Sequence, residues 1–382
     1  MSKIYYALGL HMHQPPDNLK LLIESNEWEA QQIIKCYERA VRYAHLYKDV
    51  ACFHVGFSGI LLRQFKDKDI IDRYRKFVDI PKMLDSYRKA KNIEIIGMGF
   101  YHPIFPLIPK EDWEEQLIRG RAIVEEIFGQ KPKGFWPSEM AFCVEMIPTL
   151  KKVGYEYVVI DHVHMFKPQG GNIDCFKPYK ISYGKEEMIV IPRNRDLSNA
   201  QESGLDPNWF INEVNHKMAN FPSQEKARLV TTWSDGENGG WFRQMDEASG
   251  FFGHFFAPLM DMVRNAHTEI TPIKISDFLK KFPPQEDINV RTGAWNVGST
   301  SGFDFSQWNG LESQKKAINE LFKTSKLYWD KKNKKLSKPQ EEKLRQAREL
   351  ILDAETSCYL FWGEAWLSKI YDKLNSAKEL LK

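Results

Sequence analysis

Two short segments of the chain each place one carboxylic acid close to a tryptophan. Glu139 lies three residues after Trp136, and Asp235 lies two residues after Trp233. An aromatic ring lowers the polarity around a carboxyl group, which can raise its pKa. Two carboxyl groups about 5 to 5.5 Å apart can cleave a glycosidic bond with retention, one as nucleophile and the other as acid and then base. These residue types favour sugar cleavage, although two carboxylates that begin ordinary loops would give the same spacing.

Several histidines are further candidates for a functional site. His11 and His13 alternate within Leu-His-Met-His-Gln-Pro, so in an extended segment both side chains face one side. His102 and His162 follow other apolar runs. Histidines that converge at one rim can bind sugar hydroxyls or a metal ion. Taken singly, each would equally fit a histidine that is hydrogen-bonded within the core.

Seven short apolar runs precede these candidate residues. They are nearly continuous in apolar residues and rich in Val, Ile and aromatics, which is typical of strands buried on both faces. The runs cover residues 4–10, 50–55, 93–100, 134–138, 155–160, 188–192 and 229–234. Most are followed directly by a polar or ionisable residue, among them His11, Glu139, Asp161, Arg193 and Asp235.

Segments of helical periodicity separate the runs. They cover residues 21–46, 70–90, 111–128, 145–153 and 209–220. Alternating strands and helices predict right-handed crossovers and a parallel sheet. With this many units and no duplicated half, we expect a closed or nearly closed β/α barrel in the α/β class. Active sites of such barrels lie at the carboxyl ends of the strands, where the candidate residues fall.

The pattern changes near residue 275. Three helical stretches follow, near residues 310–329, 338–358 and 363–381. We therefore predict a catalytic barrel over residues 1–274 and a helical C-terminal domain over residues 275–382. The glycine-rich stretch 293–310 carries Trp295, Asp304 and Trp308, and long loops of this kind are usually functional. We expect it to fold over the mouth of the barrel.

Composition excludes several classes of protein. The 382 residues are 42% hydrophobic and 27% charged. The 54 Lys and Arg nearly balance the 51 Asp and Glu, which gives a net charge of only +3. We therefore expect no nucleic-acid partner. The five cysteines are odd in number and lack Cys-X-X-Cys spacing, which argues against a disulfide framework or a zinc ribbon. Apolar runs all fall short of about 18 residues, so we expect no membrane partner and a cytoplasmic protein. The 11 tryptophans suit stacking on sugar faces, or extra core packing.

Five stretches, in order, resemble the conserved sequence blocks of glycoside hydrolase family 57, the α-glucan-active amylase and glucanotransferase group. They are Leu-His-Met-His-Gln-Pro at 10–15, Asn-Ile-Glu-Ile-Ile at 92–96, Trp-Pro-Ser-Glu-Met-Ala at 136–141, Ser-Asp-Gly-Glu-Asn at 234–238 and the Trp-rich loop at 293–310. Residues 100–109, 191–198 and 357–363 look similar too. The resemblance covers nearly the whole chain.

This resemblance implies a (β/α)7 barrel with a helical C-terminal domain and a retaining mechanism without a cofactor or metal. The family's catalytic glutamate falls on Glu139 as nucleophile, and its catalytic aspartate falls on Asp235 as general acid and base. The first-block histidines fall on His11 and His13, which are expected to contact the sugar. The last-block aromatic residue falls on Trp295, with Trp308 as second candidate. The other residues expected to line the substrate site are His102, Trp136, His162, Arg193, Trp233 and Asp304.

The activity expected is that of an α-amylase-like hydrolase on maltooligosaccharides, starch or glycogen. The sequence departs from the family pattern at Ser138, at residues 236–241 and at residues 357–362, which affects the choice of substrate. A 4-α-glucanotransferase or branching enzyme of the same family is one alternative, and a noncatalytic glycan-binding relative is another. A third is a metal-dependent barrel hydrolase or deacetylase, with ligands among His11, His13, Asp161, His162 and His164.

Overall fold

The computed structural model describes residues 3–202, 206–221, 225–237, 247–295 and 304–382. The strands are β1 (Lys3–Met12), β2 (Phe53–Phe57), β3 (Ile93–Ile96), β4 (Gly134–Phe135), β5 (Tyr157–Asp161), β6 (Met165–Phe166), β7 (Tyr179–Tyr183), β8 (Glu186–Arg193), β9 (Ala227–Asp235), β10 (Ile270–Pro272) and β11 (Asn289–Val290). Within these ranges, no helix is long and apolar enough to cross a membrane.

Helices connect the strands and form the C-terminal region. They are α1 (Asn18–Ser25), α2 (Glu27–Leu46), α3 (Gly59–Phe65), α4 (Lys68–Tyr74), α5 (Ile80–Lys89), α6 (Lys110–Phe128), α7 (Ile147–Val153), α8 (Arg195–Glu202), α9 (Pro207–Ala219), α10 (Ala257–Arg264), α11 (Ile275–Lys281), α12 (Ser306–Asn309), α13 (Glu312–Lys332), α14 (Lys338–Ala354), α15 (Ser357–Phe361) and α16 (Glu364–Leu381). Short 3₁₀ turns occur at Phe105–Leu107, Ser138–Met140, Val144–Met146 and His162–His164, and Phe251–Phe256 is a π-helix.

In the described ranges, seven parallel strands close into a barrel. Strand β1 pairs with β2 and β10 along one edge and with β9 along the other, and β2 pairs with β3. Strand β4 joins β3 through Trp136 N–H, which donates to Gly97 O at 2.9 Å, and then pairs with β5, which pairs with β8. Asn194 N–H donates to Thr231 O at 2.9 Å and links β8 to β9. The predicted α/β barrel with a helical C-terminal region is confirmed.

Each of the seven apolar runs overlaps one barrel strand, although the strand bounds often differ from those of the run, as in β2 (Phe53–Phe57) against the run 50–55. The sequence did not predict β7, which pairs antiparallel with β8 and whose second half is exposed. Two predicted helices are each divided in two. Asn26 interrupts the first, where its side chain accepts a hydrogen bond from Glu29 N and caps α2, and Asp79 caps α5 in the same way from Lys82 N. Asn and Asp are preferred caps because their oxygens satisfy otherwise unbonded helix N–H groups.

Large aromatic residues fill the barrel interior. The Trp136 and Trp233 rings stack there with centroids 4.7 Å apart, and both are fully buried. Gly9 of β1 lies opposite Trp233 of β9. A Cβ atom at Gly9 would lie 1.9 Å from Trp233 Cδ2, so only glycine leaves room for this ring.

A buried ion pair attaches the C-terminal helices to the barrel. Arg348 of α14 donates to Asp112 Oδ1 and to Glu115 Oε2 of α6, each at 2.6 Å. Ser325 of α13 donates to the other oxygen of Asp112 at 2.6 Å. The domain boundary after residue 274 stays a prediction, since α11 directly behind it packs against β1 of the barrel, with Phe278 touching the Tyr5 ring.

We predict that Gly9→Ala lowers the free energy of unfolding by about 1–3 kcal/mol or more, because the Trp233 ring must move in a closely packed interior. Urea denaturation followed by tryptophan fluorescence measures the change. Gly56→Ala in β2 is the matched control, since its Cβ would meet the flexible Met98 side chain at 3.1 Å. Equal losses in the two variants would contradict the packing argument.

Candidate active site

The two predicted acids lie at the same end of the barrel. Asp235 is the last residue of β9, and Glu139 lies in the turn that follows β4. The register of β1 with β9 places His11 directly opposite Asp235. His11 Nδ1 lies 3.0 Å from Asp235 Oδ1. Strand pairing therefore brings together the first and fourth sequence blocks.

The backbone around Glu139 is strained. Glu139 and Met140 have φ angles of 56° and 52°, and His102 beside them has 60°. Non-glycine residues seldom adopt this left-handed conformation, which costs free energy and persists where the surroundings enforce it. At Glu139 the backbone carbonyl accepts a hydrogen bond from Trp295 N at 2.9 Å, which helps to hold the turn.

Donors from two distant segments approach the Glu139 carboxylate. Trp295 Nε1–H donates to Oε2 at 2.8 Å, and Ser357 Oγ lies 3.5 Å from Oε1. Burial raises the pKa of Glu139, while the charge of His11 and these two donors act in the opposite direction. The nearby charge of Asp235 raises it further, so the pKa lies above its ordinary value.

The two carboxylates differ in exposure. The side chain of Asp235 is 34% exposed and that of Glu139 is 20% exposed, so the aspartate is more open to solvent. Burial lowers the pKa of His11, but the hydrogen bond and charge of Asp235 and the charges of Glu139 and Glu237 outweigh it and raise this pKa. The neighbouring carboxyls therefore raise the proton affinity of the His11 imidazole.

His13 and His102 lie next to His11. Their rings stack with centroids 3.8 Å apart and an interplanar angle of 10°. His13 contacts Ser58 Oγ at 2.8 Å and Cys358 Sγ at 3.1 Å, so both of its nitrogens face protein groups. Burial lowers the pKa of His13 and of His102 far below the usual value, and the neighbouring imidazoles lower both further. Both rings are neutral, and their predicted contact with sugar stays a prediction.

Three tryptophans lie beneath the acids. The Trp295 ring meets the Trp136 ring edge to face at 5.5 Å, and Trp136 stacks on Trp233. Trp136 and Trp233 belong to the barrel interior and are fully buried, whereas Trp295 contacts Glu139 directly. The predicted sugar contacts of Trp136 and Trp233 remain untested. As buried aromatic rings in the barrel interior, they lower the polarity on that side of the carboxylates.

A second network supports Trp295 from the side. The guanidinium of Arg193 lies 5.5 Å from the Trp295 ring, and its Nε–H donates to Trp233 O at 2.8 Å. Asp161 lies within 3.5 Å of Arg193 and accepts from Arg195 Nε–H at 2.7 Å. His162 and His164 complete the network through backbone groups, at 3.0 Å from Arg193 O and 2.8 Å from Ala294 O. Of these predicted residues, Arg193 and His162 thus lie behind Trp295, not at the acids.

The remaining predicted residues are Trp308 and Asp304. Trp308 is fully buried in a hydrophobic cluster that the C-terminal helices share with part of the barrel domain. Asp304 accepts from Ser306 N–H at 3.1 Å and from its hydroxyl at 2.8 Å. Residues 238–246 and 296–303, which include Asn238 and the central part of the Trp-rich loop, lie outside the described residues. The expected cover over the barrel mouth therefore stays a prediction.

The proposed metal ligands fall into separate networks. His11 and His13 lie with the acids, and Asp161, His162 and His164 lie behind Trp295. Within the ranges that the structure describes, no three His, Cys, Asp or Glu side chains are grouped as ligands for a metal ion.

Sequence reasoning missed Glu237. Its buried carboxyl accepts hydrogen bonds from Tyr37 and from Gln14, the latter at 3.0 Å. Burial and the charge of Asp235 raise the pKa of Glu237 to about 7. The signal was present, since Gln14 and Glu237 stand in the first and fourth sequence blocks beside His13 and Asp235.

Sequence reasoning also missed Ser357 and Cys358. Both begin α15 in the C-terminal region, and they reach His102 and His13. From the sequence, residues 357–363 are similar to the family and depart from its pattern at 357–362, but neither feature assigns them a position in the site.

Curated proteins with similar sequences are named as alpha-amylases and 4-alpha-glucanotransferases. Alpha-amylase 1 of Dictyoglomus thermophilum is 26% identical over 337 residues, which cover 86% of this chain and 44% of that protein. The 4-alpha-glucanotransferase of Thermococcus litoralis is 25% identical over 329 residues, which cover 84% of this chain and 44% of that protein. The chain thus spans less than half the length of these curated relatives.

Solved structures show the same fold. The GH57-type branching enzyme from Pyrococcus horikoshii superposes on the whole chain with a TM-score of 0.76 at 18% identity, covering 88% of that chain. The family model described as Glycosyl hydrolase family 57 matches residues 7–291, well over half of the sequence. The acids, histidines and barrel described above lie within that match, and the chain belongs to glycosyl hydrolase family 57.

Proposed function

We propose that this chain is a retaining glycoside hydrolase that acts on α-glucans such as maltooligosaccharides, starch or glycogen. The observation that carries the proposal is that Glu139 and Asp235 lie at one barrel rim, with His11 3.0 Å from the aspartate and its charge acting on Glu139. Two carboxyls that share a low-polarity site can take opposite protonation states, which double displacement requires.

Glu139 acts as the nucleophile. Trp295 donates to its carboxylate and Ser357 lies within reach, and such donors favour the ionised form that attacks the anomeric carbon. Attack breaks the glycosidic bond and leaves the sugar esterified to Glu139. The strained backbone and the Trp295 contacts hold the carboxylate in one orientation, which lowers the entropic cost of attack.

Asp235 acts as acid and then as base. It protonates the leaving glycosidic oxygen in the first step and takes a proton from the attacking water in the second. Its greater exposure suits this task, because it must reach the leaving group and then water. His11 lies 3.0 Å from one of its oxygens and fixes the orientation of the carboxyl.

The names of the relatives support an α-glucan substrate. One relative is an alpha-amylase and another a 4-alpha-glucanotransferase. The same glycosyl-enzyme gives hydrolysis when water attacks it and transfer when a sugar hydroxyl does. We favour hydrolysis, with an oligosaccharide or polysaccharide as partner. We also propose a cytoplasmic location, in keeping with five cysteines that show no disulfide spacing.

Incubation with maltoheptaose, followed by separation of the products by chain length, tests the activity. We expect only shorter products. Products longer than maltoheptaose would identify a transferase, and unchanged substrate would point to another sugar or to a binding protein. The control is protein dialysed against EDTA, which should work equally well; loss of activity that zinc restores would identify a metal-dependent hydrolase.

Glu139→Gln should lower kcat by several powers of ten while the protein stays folded. The amide has nearly the same shape but cannot attack the anomeric carbon. Product release from maltoheptaose measures the loss. Retention of more than a few percent of the activity would show that another group is the nucleophile.

Asp235→Ala should cleave natural oligosaccharides very poorly but still form the glycosyl-enzyme from an activated α-glycoside, whose leaving group departs without a proton. The second step then lacks its base, so the intermediate accumulates and azide accelerates turnover. The product should be the α-glycosyl azide, because two inversions restore the starting configuration. A β-glycosyl azide, or no effect of azide, would contradict the roles assigned to the two acids.

A further inference from the structure

Three side chains connect the two acids. Ser357 Oγ lies 3.5 Å from Glu139 Oε1 and 2.8 Å from His102 Nδ1. His102 Nε2 lies 2.7 Å from His11 Nε2, and His11 Nδ1 lies 3.0 Å from Asp235 Oδ1. The three connecting side chains are buried, so the path between the partly exposed acids is shielded from water.

We propose that Ser357, His102 and His11 form a proton relay through which Glu139 and Asp235 share one proton. The inference deepens the proposed function and rests on it. Ser357 and His102 are positioning residues in this scheme, because they act through the two acids and not on the sugar. The relay adds to the site a residue of the C-terminal helical region that no sequence block assigns.

The protons balance along this path. In one state Glu139 is protonated and donates to Ser357 Oγ, and the serine hydroxyl donates to His102 Nδ1. His102 Nε2–H then donates to His11 Nε2, and His11 Nδ1–H donates to ionised Asp235. When each proton crosses its own hydrogen bond, Glu139 becomes ionised and Asp235 protonated. Both imidazoles stay neutral and exchange tautomers, so one proton is transferred overall and no other bond changes.

The shared proton can also reside on His11. With both acids ionised the proton lies on His11, whose pKa those acids raise, while the pKa of His102 is far below its usual value. His102 therefore passes the proton on and does not store it. The other titratable groups that face the path are Glu237 and Tyr37 on the side of His11, and His13 and Cys358 beside His102.

This sharing produces the state that double displacement needs. The nucleophile must be ionised when the other acid is protonated. Two free carboxylates in a site of low polarity repel each other and would each tend to protonate. A relay that carries a single proton makes the two states exclusive, so protonation of Asp235 leaves Glu139 ionised.

The experiment uses the full chain labelled with ¹⁵N-histidine. The imidazole ¹⁵N shifts of His11 and His102, assigned with His11→Asn and His102→Asn, report which ring nitrogen carries the proton. In the unaltered protein we expect averaged shifts from both tautomers. Ser357→Ala cuts the path, and both rings should then show the separate shifts of a single tautomer. Ser357→Thr keeps the hydroxyl and should restore the averaging.

A matched control is available beside the nucleophile. Ser138 is also a fully buried serine, and its Oγ has no hydrogen-bond partner among the described residues. Ser138→Ala should leave the averaged shifts unchanged. Ser357→Ala should lower kcat on maltoheptaose about 10- to 100-fold with little change in KM, as expected for one hydrogen bond to a charged group.

A second variant interrupts the relay at Asp235 and tests it even if Ser357→Ala does not fold. Asp235→Asn, at a partly exposed position, should likewise leave each ring in one tautomer. Single tautomers in the unaltered protein, or averaged shifts that survive Ser357→Ala or Asp235→Asn, would overturn the relay. Failure of the proposed function shows separately, as activity that survives Glu139→Gln.

Discussion

The parallel pairing of β1 with β9 is the constraint on which the site depends. It places His11 opposite Asp235 and Gly9 opposite Trp233. Side chains two residues apart point to the same face of a strand, so the imidazole and the space left by the glycine lie on one side. A slip by one residue would turn them to the other face. The register that accommodates the Trp233 ring is thus also the one that brings His11 to Asp235.

Burial and neighbouring charges shift the pKa values at this rim in opposite directions, and the larger of the two effects differs from residue to residue. Two unit charges 4 Å apart interact by about 4 kcal/mol at an effective dielectric constant of 20, whereas a hydrogen bond to a charged group contributes about 1.5–3 kcal/mol. At His11, three carboxyls together outweigh burial and raise its pKa. At Glu139 burial remains the largest influence, and the Trp295 hydrogen bond offsets only part of it. The rim therefore holds few net charges, which favours one shared proton.

The sequence predicted what depends on local pattern. Seven strands, the barrel and the position of both acids follow from short apolar runs and the residues after them. It could not predict the left-handed backbone at Glu139, because that conformation depends on contacts with Trp295, more than 150 residues away. The same holds for Glu237, whose proton affinity depends on burial against α2. Tryptophans were expected at the sugar, but a one-dimensional pattern cannot distinguish Trp295 at the acid from Trp308 in the helical core.

Two sets of contacts attach the C-terminal helical region to the barrel, and the second set depends on the first. Buried Arg348 pairs with Asp112, and removal of one partner from such a pair is costly because a charge is left without compensation. This pair holds α14 against α6, and the chain leaving α14 runs beside the residues at the active-site rim. There Ser357 N–H donates to His102 O at 3.1 Å, and its hydroxyl lies next to His102 Nδ1. Docking of the helices, and not the barrel alone, therefore determines how the imidazoles between the two acids are hydrogen-bonded.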